Sequence, residues 1–196
     1  HGTVGTALHS PVVVQVNDRH ANPVAGVIVR FTSPQGGAFR PESIATDAQG
    51  LAQAVWTLGT TAGVKTATVT SPSVGTTALT LSVRAVPGPA ATIEVSPATS
   101  RVIRNKRVQL SARAFDRYRN EIESQPLQWL SSDPRISTVS ASGLVHTIAD
   151  GEVKISARLG DAQSTATIEA FSVQNEIVSA FLATPAAGHL WEVPVL

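Results

Sequence analysis

The amino-acid sequence predicts an all-β chain: two β-sandwich modules in tandem followed by a C-terminal segment. Three observations carry this. Apolar residues recur with period two in run after run, and helical periodicity is nearly absent. Turn signals break the runs roughly every 8–12 residues, the spacing of strands in a sandwich. The phrase Asp18-Arg19-His20-Ala21-Asn22 returns 98 positions later as Asp116-Arg117-Tyr118-Arg119-Asn120. Each copy precedes an apolar residue that restarts the chain (Val24, Ile122), which marks two units of similar build. The 196 residues suit two modules of about 85–100 residues.

The strands follow in order. Val12, Val14 and Val16 alternate with Val13, Gln15 and Asn17. Val27, Val29 and Phe31 alternate with Ile28 and Arg30, and Ala52, Ala54, Trp56 and Leu58 with Gln53, Val55 and Thr57. A Thr-rich strand is expected over 64–70, and Leu79, Leu81, Val83 and Ala85 face away from Thr80, Ser82 and Arg84. Pro34-Gln35-Gly36-Gly37 and Asp47-Ala48-Gln49-Gly50 are turns. In the second, Asp bonds the backbone ahead of it and Gly takes the positive-φ position.

Val86-Pro87-Gly88-Pro89-Ala90 divides the chain. Two prolines remove ladder donors and hold the backbone extended, so the first module is expected at 1–86, a short stiff linker at 87–91 and the second module at 92–171. Its strands are expected at Thr92–Val95, Arg107–Phe115, Leu127–Leu130, Gly143–Thr147, Glu152–Leu159 and Ser164–Phe171. Leu127 and Trp129 are expected to anchor its core. Two such modules end to end would form a rod of about 70–80 Å, because ten strand residues span roughly 33 Å. The segment 172–196 is apolar (Ile177, Val178, Phe181, Leu182, Leu190) and ends in Trp191-Glu192-Val193-Pro194-Val195-Leu196. It could start a further module, pack back on the second, or serve as an assembly strand on a neighbouring chain.

Composition limits the function classes. Hydrophobic residues make up 42% and charged residues 15%, which fits a globular chain rather than a disordered one. Net charge is +1, and the lysines and arginines, 15 in all, nearly balance 14 acidic residues. A nucleic-acid partner needs a strong basic excess and is not expected. There is no cysteine, hence no disulfide or thiolate metal site. No apolar run reaches the ~20 residues that span a bilayer. The chain has no Met, begins at His1 and shows no signal peptide, so it reads as a processed or excised piece.

Residues 1–86 resemble a bacterial Ig-like domain of the group 1 type found in intimin and invasin. The matching phrases are Gly2-Thr3-Val4-Gly5-Thr6, Val14-Gln15-Val16-Asn17-Asp18, Asn22-Pro23-Val24-Ala25-Gly26-Val27, Thr46-Asp47-Ala48-Gln49-Gly50-Leu51-Ala52 and Trp56-Thr57-Leu58-Gly59. Residues 90–171 resemble the group 2 type through Ile93-Glu94-Val95-Ser96-Pro97, Val108-Gln109-Leu110, Trp129-Leu130-Ser131-Ser132-Asp133 and Ala141-Ser142-Gly143-Leu144-Val145. The resemblance implies an Ig-like sandwich on a bacterial surface or in a secreted protein, strung in series as stalk, spacer or adhesin arm. The family shares no catalytic residues, so none is carried over.

Several side chains merit weighing as sites. Asp18, Asn22, Asp47, Asp116 and Asn120 could hold calcium, but each turn offers one or two oxygen side chains where calcium wants six to eight oxygens. Asx-turn chemistry is the expected role. His1, His9, His20, His146 and His189 show no zinc spacing. Arg101, Arg104, Lys106 and Arg107 form a basic run that could meet an anionic surface; exposed edges also use such charge to block pairing. Trp56 and Trp129 are expected in cores, while Trp191 is a candidate partner contact. No nucleophile elbow or phosphate loop occurs, and no catalytic, metal or cofactor residue is expected.

The sequence therefore reads as a non-enzymatic spacer whose partners are neighbouring Ig-like modules or subunits. An adhesin or carbohydrate-binding module touching a host or neighbour-cell glycan or protein, and a filament subunit exchanging an end strand, are the alternatives.

Overall fold

The structure, a computed structural model, describes residues 1–73, 78–123, 125–173, 179–183 and 190–194. Every described element is a strand. In chain order they are β1 (Gly2–Thr3), β2 (Val12–Gln15), β3 (Ile28–Thr32), β4 (Gly37–Arg40), β5 (Ser43–Ala45), β6 (Leu51–Leu58), β7 (Gly63–Thr70), β8 (Leu79–Val86), β9 (Ala90–Ser96) and β10 (Thr99–Ile103). There follow β11 (Arg107–Gln109), β12 (Ser111–Asp116), β13 (Gln128–Ser131), β14 (Ser137–Val139), β15 (Leu144–Thr147), β16 (Gly151–Leu159), β17 (Ala162–Phe171), β18 (Ser179–Ala183) and β19 (Leu190–Pro194). The chain divides into two compact units, one of His1–Glu94, Ala112–Leu127 and Arg158–Ser164, the other of Val95–Ser111, Gln128–Ala157 and Thr165–Leu196.

The first sandwich pairs a five-stranded sheet, ordered β1-β8-β7-β3-β5, with a three-stranded sheet, β2-β6-β4. Only its β1–β8 pair is parallel, with Thr3 opposite Val86. The period-two patterning works as expected in β6, where Ala52, Ala54, Trp56 and Leu58 are buried and the residues between them are not. They meet Val29 and Phe31 from β3, Phe39 from β4, and Ala67 and Val69 from β7. Phe31 and Phe39 stack at 5.3 Å, and Phe39 and Trp56 at 5.2 Å. Burying each such side chain stabilises by about 1.5–3 kcal/mol, and each aromatic pair adds roughly 0.5–1.5 kcal/mol. The Trp56 indole N–H donates to Ser33 Oγ at 3.2 Å, so its polar edge costs nothing on burial.

The second sandwich is built from a sheet ordered β10-β17-β16-β13, the ladder β11-β15-β14 and the pair β12-β9. Its core comprises Val102, Leu110, Val145, Val153, Ile155, Ala166 and Ile168. Trp129 packs half-buried against this cluster, and Leu127 lies outside it, so neither is the anchor expected from sequence. The single strand expected at 107–115 is two strands. Its ladder changes partner at Leu110, whose N–H goes to Gly143 O at 2.9 Å, from β15 on one side to β9 on the other. β10 is paired in parallel with β17 over Thr99–Ile103. It is polar enough to have hidden in the sequence.

β18 and β19 form an antiparallel hairpin, Ser179 opposite Pro194 and Ala183 opposite Leu190. The expectations for the rest of 174–196, and for the Trp191 side chain, lie outside the described residues.

Candidate functional site: the repeated Asp-to-Asn turns

Both copies of the repeated phrase close the same turn. In the first, Asp18 Oδ1 accepts the His20 and Asn22 amides at 2.8 and 2.9 Å, and Oδ2 accepts Asn22 Nδ2 at 3.1 Å. In the second, Asp116 Oδ1 accepts the Tyr118 and Asn120 amides at 2.8 and 2.9 Å, and Oδ2 accepts Asn120 Nδ2 at 2.9 Å. The fourth residue takes a left-handed conformation in each, Ala21 at φ 65° and Arg119 at φ 68°. Asp47 builds a third Asx-turn, its Oδ1 accepting Gln49 N and Leu51 N, both at 2.9 Å. The hydrogens aimed at these carboxylates occupy the lone pairs a cation would need. Among the described residues no three His, Asp or Glu side chains gather as metal ligands.

The copies differ in what they touch outside themselves. Asp18 and Asn22 are exposed. Asp116 is 1% exposed, and its Oδ2 also accepts the Gly88 amide at 2.9 Å. Asn120 Oδ1 accepts Ala62 N at 2.7 Å, and its Nδ2 donates to Thr60 O at 2.8 Å. Tyr118, standing where the first copy has His20, packs on the first core. Its hydroxyl lies so near Gly5 that a Cβ there would fall 2.6 Å away. Asp116, Tyr118 and Asn120 and all these partners belong to one and the same compact unit. The rim is ionic: Arg113 pairs with Glu121 at 2.6 Å and Arg119 with Glu94 at 2.8 Å. Arg119 also lies over the Phe115 ring at 4.7 Å.

Electrostatics follow the same geometry. Burial works to raise the Asp116 pKa, and the donors from Asn120, Gly88 and Tyr118 outweigh it, leaving the carboxyl below its ordinary range. The Asn22 amide and side chain, with His20 N, hold exposed Asp18 low too.

The other sequence candidates stand apart from these turns. Arg101 is on β10, paired with Glu169 at 2.9 Å and lying over Phe171 at 4.8 Å. Arg104 and Lys106 are exposed on the turn from β10 to β11, Arg107 is exposed at the start of β11, and the three form no ion pair among the described residues. The Thr147 hydroxyl holds that turn from beneath, 2.8 Å from Ile103 O and 3.1 Å from Lys106 O. His1, His9 and His20 are exposed and His146 is half-buried; His189 lies outside the described residues. Sequence reasoning found the second turn but not Gly5, Thr60, Ala62 and Gly88 as its partners. The available signal was the gain of Tyr118 and Arg119 over His20 and Ala21, bulk and charge that an exposed turn does not need.

Two sandwich cores in series, with an Asp-to-Asn turn after β2 in the first and after β12 in the second, give the chain the fold of tandem Ig-like β-sandwiches. Residues 89–170 match the family model of the bacterial Ig-like domain (group 2). The fold is similar to that of InvD of Yersinia pseudotuberculosis, at 20% identity and a TM-score of 0.59, over 95% of this chain and 61% of that one. It is also similar to FdeC, an Escherichia coli adhesin, at 15% identity and a TM-score of 0.56, over 87% of this chain and 61% of that one. At these identities the likeness is one of fold, and the chain spans about three-fifths of either structure. No curated protein matches the chain in sequence.

Proposed function

We propose that this chain is a non-enzymatic spacer section of a bacterial surface or secreted protein, with Ig-like modules at 1–86 and 92–171 joined by a stiff linker at 87–91 and followed by the segment 172–196. The observation that carries this is the use made of the second turn. Asp116 and Asn120 tie Gly88, Thr60 and Ala62 with three hydrogen bonds, beside two prolines that already restrict the backbone. A spacer transmits position, so its linker must resist bending, and the part-buried hydrogen bond to the Pro-flanked Gly88 amide serves that end. The likeness in fold to InvD and to the adhesin FdeC supports a surface location. Hydrogen exchange at the Gly88 and Ala62 amides tests the idea. Slow exchange that speeds in Asn120→Ala is expected, and equally fast exchange in both proteins refutes a stiff linker.

A second reading, contact with a host or neighbour-cell glycan or protein, is favoured by Arg104, Lys106 and Arg107 standing together, exposed, on the turn into β11 and its first residue. A glycan array hit lost when all three become Ala supports it; a blank array removes it.

A further inference from the structure

Arg101, Arg113, Arg119 and Arg135 each meet a carboxylate, whereas Arg104, Lys106 and Arg107 meet none among the described residues. The β11-β15-β14 ladder sets what stands beside them. Arg107 is opposite His146, and His146 is opposite Thr138. One residue along, Val108, Val145 and Val139 form the next row, and that row packs into the second core. Side chains alternate across a sheet, so the Arg107-His146-Thr138 row faces solvent. Arg107 and Thr138 are exposed and His146 is half-buried. Opposite residues in a ladder lie about 4.5–5.5 Å apart, which puts guanidinium, imidazole and hydroxyl side by side.

No acid dilutes this charge. Residues 102–109 and 136–148 contain neither Asp nor Glu. The flanking acids are committed: Asp133 pairs with Arg135 at 2.8 Å, and Asp150 accepts the Ser172 hydroxyl at 2.6 Å. On the same side of β15, Leu144 and Ile148 flank His146, and neither titrates. The diagonal positions on β11 and β14 are Gln109, Ile136 and Ser140, uncharged as well. Arg107 is therefore the charged neighbour of His146 on the ladder, with Lys106 and Arg104 beyond it on the turn. That turn is fixed. Asn105 sits in the left-handed region at φ 64° and its N–H donates to Thr147 O at 3.0 Å. Cations carried on a fixed backbone lose less freedom on binding.

We propose that Arg104, Lys106, Arg107, His146 and the Thr138 hydroxyl form one binding surface for an acidic glycan, a proposal that rests on the reading of these cations as a contact surface. The cations and the imidazolium take sulfate or carboxylate groups, and Thr138 takes a sugar hydroxyl. A partner that mixes anions with hydroxyls suits this row. A nucleic acid would ask for a basic excess, and the net charge is only +1. An imidazole gains its positive charge as pH falls from about 8 to 5, so binding tightens in mild acid.

The test measures binding of residues 1–196 to heparin, a sulfated glycan, at about pH 6 and about pH 8. Binding is expected to be roughly 3-fold tighter at the lower pH, and His146→Gln should erase that difference. Replacing Arg104, Lys106 and Arg107 together with Ala should weaken binding at least ~10-fold at both values. Thr138→Ala is exposed, so it folds, and should weaken binding roughly 3-fold at both. Arg30, Arg40 and Arg84 are also exposed; replacing them together with Ala removes the same net charge and should leave binding nearly intact. If the triple variant at 104, 106 and 107 loses binding while His146→Gln and Thr138→Ala behave as the parent, the row is overturned and the contact surface stands. If the two triple variants lose equally, net charge alone binds heparin and both fall. Equal binding to neutral dextran, or tighter binding to phosphatidylserine vesicles, overturns the acidic glycan as the partner.

Discussion

Asn120 Oδ1 accepts the amide of Ala62 at 2.7 Å across 58 positions of sequence, whereas its counterpart Asn22 bonds only within its own turn. The repeat therefore supplies its own control. Asn120→Ala strands the Ala62 N–H, partly shielded from water, returns the exposed Thr60 C=O to solvent, and should cost about 1–3 kcal/mol. Asn22→Ala loses a solvent-exposed contact and should cost about 0.5 kcal/mol. Urea unfolding followed by tryptophan fluorescence measures both; equal losses would show that Asn120 acts only inside its turn.

Asp116 gives the fold a dependence on acid. Its folded pKa lies below the ordinary value of 3.8, so the unfolded chain binds the proton more readily. The stability it contributes is complete above that ordinary value and is lost as pH falls through the folded one. Asp18, Glu121 and Asp133 are shifted the same way, so the whole chain should weaken in acid. Asp116→Asn should reduce stability at neutral pH and flatten its decline below about pH 4. An unchanged slope in chemical denaturation across that window would remove Asp116 from the account.

Much of the first sandwich was legible because its strands are long enough to show their period. Eight residues of β6 display the full in-and-out alternation. β4 and β5, with four and three residues, do not give a period room to appear. The split at Leu110 was hidden for a different reason: apolar alternation reports which face a residue takes, not which strand it pairs with. The repeated turns were plain as Asx motifs. Whether their outward groups meet water or a carbonyl 60 positions away depends on tertiary packing, to which local sequence is blind.

Gly143 separates backbone strain from crowding. Its φ is 81°, and a Cβ would sit 2.5 Å from Leu110 O and 3.0 Å from the Trp129 ring. Gly26 has a similar φ of 77° with nothing within 4 Å. Gly26→Ala should cost about 1 kcal/mol from the left-handed conformation alone. Gly143→Ala adds a clash with the Leu110 carbonyl, which already accepts Gln109 Nε2 at 2.7 Å, and should cost roughly 2–4 kcal/mol. Thermal melts of the two variants decide it, and the Trp129 emission should move only in the second.

Thr147 carries the last prediction. It is fully buried, and its hydroxyl meets the carbonyls of Ile103 and Lys106 and the Lys106 amide. Together with the main-chain bonds from Asn105 N to Thr147 O, Lys106 N to Ile103 O and Thr147 N to Lys106 O, that side chain sets the turn that carries Arg104 and Lys106 and leads into Arg107. Thr147→Val keeps the shape and deletes the hydroxyl, while Lys106 N keeps Ile103 O and Lys106 O keeps Thr147 N, at a cost of about 0.5–1.5 kcal/mol. Replacing Arg104, Lys106 and Arg107 together with Ala removes only solvated charge and should shift stability by no more than about 0.5 kcal/mol per residue. The contrast assigns rigidity to Thr147 and surface chemistry to the cations. If the triple variant loses as much stability as Thr147→Val, the basic run is structural and its standing as a contact surface lapses.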